Sequence, residues 1–243
     1  MARQKPEAPA TAAAPASARD RIVDALMALA GERAFEDITI TEIARRAGSS
    51  LSEFRDCFPS KGAVLAGFSR RIDRIVLDGT NDELLGEPSK ERLFDVLMRR
   101  LDAMTPYRAG VESVLEWARR EPLEAAALNR VALNSLRFML EAAGIQAEGS
   151  VGAVKLQGLA FAWARILDVW LNDADPDLAP TMAALDRELT RGGTIVARVE
   201  DLHRLTSPFR SVLRAAFASR RSFGERMRER GRARGQRDET EVV

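Results

Sequence analysis

Several residue types that carry common protein chemistry are nearly absent from this chain of 243 residues. It has one cysteine, Cys57, one histidine, His203, and one tyrosine, Tyr107. A single cysteine excludes an intramolecular disulfide framework and a cysteine-built zinc site, and it suits the reducing cytoplasm. A single histidine leaves Ser-His-Asp or Cys-His catalysis little support, because no nucleophile elbow accompanies it. We therefore expect a protein that is not an enzyme and that needs no metal or cofactor.

Long apolar runs and alternating patterns are also missing. No stretch of about 20 apolar residues occurs, which excludes a membrane span in the sequence. Stretches rich in Ala, Leu, Arg and Glu instead repeat apolar residues at helical spacing. With 46% hydrophobic and 30% charged residues, the sequence predicts an all-α protein. Helix-start signals in its larger, C-terminal body lie at Ser89, Thr105-Pro106, Pro122, Ser150, Pro180 and Ser207-Pro208.

The segment 38–61 predicts two short helices joined by a tight turn. Each helix begins with a predicted capping box, in which a hydroxyl residue is followed three positions later by glutamate: Thr39 with Glu42, and Ser50 with Glu53. Gly48 lies between them and adopts a left-handed turn without steric cost. This pattern predicts a helix-turn-helix, whose second helix enters the DNA major groove.

Residues 19–68 resemble the TetR family of bacterial repressors. The matching elements are a first helix, the run Thr39-Ile40-x-x-Ile43-Ala44-x-x-Ala47-Gly48-x-Ser50, and Phe58-Pro59-Ser60-Lys61 at the start of a fourth helix. The resemblance implies a cytoplasmic transcriptional regulator, expected to be a repressor. It implies an N-terminal module that binds double-stranded DNA at a near-palindromic operator. It also implies a body that binds an apolar small-molecule effector and forms a homodimer.

The resemblance and the local chemistry together suggest which residues contact DNA. They are Thr39, Arg45, Ser50, Leu51, Ser52, Arg55 and Lys61. Arg55 and Lys61 suit phosphates, whereas Leu51 and Ser52 suit thymine methyl groups and base edges. Glu53 has two interpretations: it caps the helix, or it accepts a hydrogen bond from cytosine N4. Glu53 and Asp56 would also repel phosphates.

A second group of residues lies on helices that line the effector pocket in TetR proteins. They are Met98, Met104, Tyr107, Trp117, Phe138, Met139 and Trp163. Such residues can shape an apolar ligand site. At helical spacing they also fit an ordinary core, and both interpretations stay open.

The segment 169–187 resembles the C-terminal half of the lipid-binding protein of ubiquinone biosynthesis. That family shares the TetR fold, is not regarded as a DNA binder and holds isoprenoid lipids. A stretch with tyrosine and lysine that is typical of that family is missing from 144–157. The alternative function is therefore a lipid-binding accessory protein that does not bind DNA.

Two smaller features each have a simple explanation. The spacing of Asp173, Asp175 and Asp177 resembles that of a calcium-binding loop. An EF-hand loop, however, would need glycine at the position of Leu178 and glutamate at that of Ala184. A polar loop is the better interpretation. Cys57 is either a redox sensor or a small filler at a helix end.

The helices at 150–171 and 180–198 are expected to form the dimer interface. Their apolar residues exceed what one body readily covers: Val154, Phe161, Val169, Met182, Leu185 and Leu189.

Four parts are expected along the chain: a disordered arm (1–17), a DNA-binding domain (18–80), an effector and dimerisation domain (81–205), and a basic tail (206–243). Between 207 and 227 the tail reads as a basic amphipathic helix. It docks on the protein's own body, touches an anionic membrane, or contacts DNA phosphates.

Overall fold

The computed structural model describes residues 17–79 and 86–193. The first eight α-helices there are α1 (Ala18–Glu32), α2 (Ile40–Arg46), α3 (Leu51–Cys57), α4 (Lys61–Asp78), α5 (Ser89–Met104), α6 (Arg108–Arg120), α7 (Pro122–Ala142) and α8 (Gly149–Asn172). A further helix, α9, begins at residue 179 and is described to residue 193. These residues contain no strand, which confirms the all-α prediction.

Short polar residues start the helices of the N-terminal part. The hydroxyl of Ser17 accepts a hydrogen bond from the Asp20 backbone N–H at 3.1 Å, and Ser60 caps α4 in the same way. The inward faces of α1 and α4 are mostly apolar, with Ile22, Leu26 and Ile72 fully buried. Helical spacing also predicts Ile75 to face inward, but 53% of it is exposed.

The N-terminal helices and the body share one core. A Cβ added to Gly110 in α6 would lie 2.5 Å from the Met27 carbonyl oxygen, so α6 approaches the α1 backbone closely. The rings of Phe35 and Trp117 lie 4.6 Å apart between the same two regions. The compact unit runs to Gly192, and residues 194–243 lie outside the described part. The four-part division of the chain stays a prediction.

Four of the predicted body helices begin within one residue of the expected position. The exception is Thr105-Pro106, which forms a 3-10 turn with Tyr107, and α6 begins only at Arg108. The Thr105 backbone is still helical, and its hydroxyl donates to the Leu101 carbonyl at 3.1 Å. It therefore extends α5 instead of capping α6. The start predicted at Ser207 lies outside the described residues.

No helix in the described part combines the length and apolar character needed to cross a membrane.

Candidate nucleic-acid interface

Helix α2 begins with a predicted cap and ends at a predicted glycine turn. Thr39 and Glu42 form the predicted capping box: the Thr39 backbone N–H donates to the Glu42 carboxylate at 2.9 Å, and the Thr39 hydroxyl accepts from the Glu42 N–H at 3.3 Å. The Thr39 hydroxyl also donates to the Glu42 carboxylate at 2.7 Å; this bond, with the backbone N–H bond and Arg33, lowers the pKa of Glu42 to about 2. Gly48 has the predicted left-handed conformation, with φ of 61°.

The second predicted capping box is only half formed. Ser50 caps α3 by accepting from the Glu53 N–H at 3.1 Å. The Glu53 carboxylate does not reach back to Ser50; it lies 3.4 Å from the Arg21 guanidinium. The charge of Arg21 competes for this carboxylate, so the prediction of a complete box was wrong. Its other interpretation, a contact with cytosine N4, stays a prediction.

One face of α3 is exposed along its length. Leu51 is 54% exposed, and Ser52, Arg55 and Asp56 are exposed as well. Arg45 is exposed on α2. No carboxylate of the described part lies within 4.0 Å of Arg45 or Arg55, whereas Arg46 pairs with Glu32 at 2.6 Å. Helices α2 and α3 therefore each offer one exposed guanidinium group that can meet an anion.

The opposite face of α3 is anchored by α1. Phe54 and Phe58 are buried. Arg19 donates to the Cys57 carbonyl at 2.9 Å and stacks over the Phe58 ring at 4.2 Å. Arg21 donates to the Ala47 carbonyl at 3.1 Å. Sequence reasoning missed this anchoring, because the partners are separated by 26 and 38 residues and no local spacing signals them.

Lys61 points inward, whereas the sequence predicts it as a phosphate contact. Its ammonium group donates to the carbonyls of Phe35 at 2.7 Å and Ile38 at 3.0 Å, with Glu36 at 3.5 Å. It also lies 4.3 Å from the centre of the Phe35 ring. Burial lowers its pKa. These contacts tie α4 to the turn before α2, so the geometry gives no support to a phosphate contact of Lys61.

The other predicted contacts fall into two groups. Ser50, Leu51, Ser52 and Arg55 lie together on α3, with the Ser50 and Ser52 hydroxyls 2.9 Å apart. Thr39 lies at the start of α2, where its hydroxyl donates to Glu42 at 2.7 Å. Contact of these residues with DNA stays a prediction.

Most of the seven predicted effector residues pack within the core of the described residues. Met104, Met139 and Trp163 are buried in the core, whereas Phe138 is 54% exposed. Tyr107 packs its ring edge-on against Phe68 at 5.1 Å. Met98 and Trp117 are half-buried and pack against the core. Most of these residues belong to the core, as apolar residues at helical spacing usually do.

Two described grooves have charged walls instead. The larger, of about 700 Å³, lies between α6, α8 and α9 and is lined by Arg119, Ala164, Arg165, Ile166, Asp168, Val169, Ala184, Arg187, Glu188 and Arg191. The smaller, of about 540 Å³, lies between α7 and the start of α8, with Arg130, Arg137 and Glu148 among its lining residues. None of the seven predicted residues lines either groove.

The aspartates at 173–177 close a loop. Asp173 accepts from both the backbone N–H and the hydroxyl of Thr181, at 3.0 and 2.6 Å, and these bonds lower its pKa. Asp175 accepts from the Asp177 N–H at 3.0 Å. The described residues contain no group of acidic, histidine or cysteine side chains that fits a metal ion. His203 lies outside them.

No protein-family model and no curated protein matches the sequence significantly. Solved structures do match. A TetR transcriptional regulator from Nitrosomonas europaea ATCC 19718 superposes with a TM-score of 0.59 and 22% identity, over 73% of this chain and 99% of that chain. A TetR transcriptional regulator from Rhodococcus sp. RHA1 gives a TM-score of 0.52 and 22% identity, over 72% and 95%. The chain therefore has the fold of the TetR transcriptional regulators.

Proposed function

We propose that this protein is a DNA-binding transcriptional regulator of the TetR type, and that α3 enters the major groove. The exposed face of α2 and α3 is the observation that carries the proposal. It presents Arg45 and Arg55 without a carboxylate partner in the described part of the chain, beside the exposed Leu51 and Ser52. Arginines position such a helix on phosphates, and small side chains near its start reach base edges.

The acidic residues of α3 are compatible with this role. The Glu53 carboxylate lies 3.4 Å from Arg21, which offsets part of its repulsion of phosphates. Asp56 is exposed one position beyond Arg55, near the end of the helix. Residues near the start of a recognition helix make the base contacts, so Asp56 lies on the less critical side.

A homodimer would place two copies of α3 on a near-palindromic operator. Support comes from α8, where Val154 and Phe161 are 50% and 59% exposed and Gly158 lies between them at helical spacing. Two other residues expected at this interface, Leu185 and Leu189, are buried in the protomer's own core, so we do not include them in the proposed interface. The proposed contact therefore centres on α8.

Control by an apolar effector and action as a repressor rest on the family resemblance. The alternative, a lipid-binding accessory protein, has no described residue arrangement in its favour: in the segment that resembles that family, Asp173 serves as a loop cap. We retain the alternative as the outcome to which a failure of DNA binding would point.

Selection of bound fragments from random DNA at about 100 mM salt tests the proposal. We expect enrichment of one near-palindromic sequence. Arg55→Gln should weaken binding to all sequences, whereas Ser52→Ala should change the preferred bases. Arg130→Gln, which changes an exposed arginine on α7, is the matched control and should leave binding unchanged. A wild-type selection that enriches no sequence would reject the regulator and favour the lipid-binding alternative.

Sedimentation tests the dimer. We expect the wild-type protein to sediment as a dimer at micromolar concentration. Phe161→Asp should shift it to the monomer of 26.8 kDa, because a buried charge without a partner opposes association. Leu123→Asp changes an equally apolar residue that is 86% exposed on α7 and should leave the dimer intact. A monomeric wild type, or a Phe161→Asp dimer, would contradict the proposed interface.

A further inference from the structure

A cluster of polar side chains lies inside the body where apolar residues would be expected. Asp73 and Ser69 come from α4, Arg100 from α5 and Ser135 from α7, and each is at least nine-tenths buried. We call these four residues the Asp73 cluster. It has no part in the exposed interface on α2 and α3.

The contacts of this cluster are directional. One guanidinium nitrogen of Arg100 and the Ser135 hydroxyl, at 2.6 Å, donate to the same carboxylate oxygen of Asp73. The other terminal nitrogen of Arg100 donates to the Ser69 hydroxyl at 3.4 Å. The guanidinium lies 5.6 Å from the centre of the Trp163 ring on α8. The cluster therefore joins α4 to α5 and α7 at one point, beside α8.

Helix α4 also contacts the segments next to α2 and α3. It begins at Lys61, four positions after α3 ends at Cys57. Lys61 ties it to the turn before α2 through the carbonyls of Phe35 and Ile38. Gly67 leaves room for the ring of Phe58, directly after α3, since a Cβ there would lie 2.7 Å from a ring carbon. A shift of α4 against the body would therefore act on α3, which α1 also anchors.

Apolar packing alone resists such a shift weakly, because burial of apolar surface has no preferred direction. A slip of α4 by one residue moves a side chain by about 1.5 Å along the helix axis and turns it by about 100°. That slip would break the bonds to Asp73, since hydrogen bonds weaken steeply outside a narrow range of distance and angle. Breaking a buried ion pair exposes each charge to an apolar surrounding at high cost.

We propose that Asp73 and Arg100 are positioning residues that fix α4 against α5 and α7, and so set the orientation of α3 relative to the body. In the dimer this orientation fixes the distance between the two recognition helices. It therefore selects the spacing between operator half-sites, a consequence that rests on the proposed function.

The variant for the test is Asp73→Leu/Arg100→Met, which removes both charges. Replacing a buried ion pair with apolar residues of similar volume usually leaves a protein folded. Leu97→Ala is the matched control, because Leu97 is fully buried on the same helix as Arg100 but forms no part of the cluster. It loosens the core without removing a directional contact.

The first measurement is independent of DNA binding. Spin labels are placed in the Asp56→Cys/Glu141→Cys/Cys57→Ser background, on exposed sites of α3 and α7, and labelled protein is diluted with unlabelled protein. The 56–141 distance distribution should be narrow in the wild-type sequence and in Leu97→Ala, and broad or shifted in the double variant. An unchanged distribution in the double variant, or equal broadening in Leu97→Ala, would overturn the proposal.

The second measurement uses the selected operator with its half-site spacing changed by one or two base pairs in either direction. Each base pair rotates one half-site by roughly 35° relative to the other. The wild type and Leu97→Ala should prefer one spacing by about tenfold or more, and the double variant by less than about threefold. An undiminished preference in the double variant contradicts the positioning role. A wild type that binds no operator rejects the proposed function, and the label distances then decide the positioning role alone.

Discussion

The helix caps of the DNA-binding candidate region and the Asp73 cluster satisfy their polar groups in opposite ways. In the caps, Thr39 bonds to Glu42 and Ser50 to Glu53, both across three positions at the surface. In the cluster, Asp73 meets Arg100 and Ser135 across 27 and 62 positions, inside the core. A local cap can be recognised from spacing alone, whereas a buried pair arises only when distant helices pack. Each cap also holds one helix in shape, while the buried bonds hold helices to each other.

Removing one partner of the buried Asp73–Arg100 pair should have the largest effect on stability. Arg100→Met leaves the Asp73 carboxylate in the core without its counter-charge, and we expect a loss of about 3–5 kcal/mol in the free energy of unfolding. Urea denaturation followed by circular dichroism measures it. The matched control, Lys90→Met, removes the exposed pair with Asp186 and should cost less than about 1 kcal/mol. Equal losses in the two variants would show that burial does not separate them.

The close approach of α1 and α6, which joins the N-terminal helices to the body, should give the next largest effect on stability. Gly110→Ala would place a Cβ 2.5 Å from the Met27 carbonyl oxygen, and backbone cannot move aside cheaply. We expect a destabilisation of about 1–3 kcal/mol from the forced separation of α1 and α6. Gly62→Ala in α4 meets only the Ser60 hydroxyl at 3.9 Å and should be neutral or slightly stabilising. The melting temperatures of both variants test this prediction. A Gly110→Ala variant as stable as the wild type would contradict the close approach of α1 and α6.

The smallest effect concerns the surface cap and depends on pH. The pKa of Glu42 is about 2, below its usual value of 4.5, because Thr39 and Arg33 favour the ionised carboxylate. The ionised group therefore stabilises the fold above pH 4.5, and this contribution is lost as the pH falls from 4.5 towards 2. The melting temperature of the wild type should exceed that of Glu42→Gln at pH 7.

That difference should shrink as the pH is lowered from 4.5 to 3. Glu112→Gln, on the exposed side of α6, is the control and should differ little from the wild type throughout. A Glu42→Gln difference that stays constant from pH 7 to pH 3 would contradict the role of the ionised cap.

The sequence predicted those features that depend on neighbours in the chain. The all-α fold and most helix starts were predicted correctly, because caps, prolines and helical spacing act within a few residues. The turn at Gly48 belongs to the same group, since its left-handed backbone follows from a local requirement for glycine. The helix start predicted at Thr105 was wrong, because the sequence does not distinguish a capping hydroxyl from one that donates to the carbonyl of the preceding turn, here that of Leu101.

Features set by tertiary contacts were not predictable. Lys61 looks like a surface cation at a helix start, but the segment 35–38 folds back to present three carbonyls to it. The Glu53 carboxylate pairs with Arg21 of α1 instead of capping its own helix. Contact of the predicted effector residues with a ligand stays a prediction, because apolar residues at helical spacing identify a buried face but not whether packing leaves a cavity beside it.

The contact of α3 with DNA phosphates is the central claim, and the salt dependence of operator binding tests it most directly. Binding to the selected operator is titrated by fluorescence anisotropy at several salt concentrations, with wild-type protein and with Arg55→Gln. Each lost phosphate contact changes the slope of log K against log salt by about 0.9, so loss from both protomers should flatten it by about 2. We predict this flattening for Arg55→Gln and an unchanged slope for Arg130→Gln. Identical slopes for the wild type and Arg55→Gln would contradict the account.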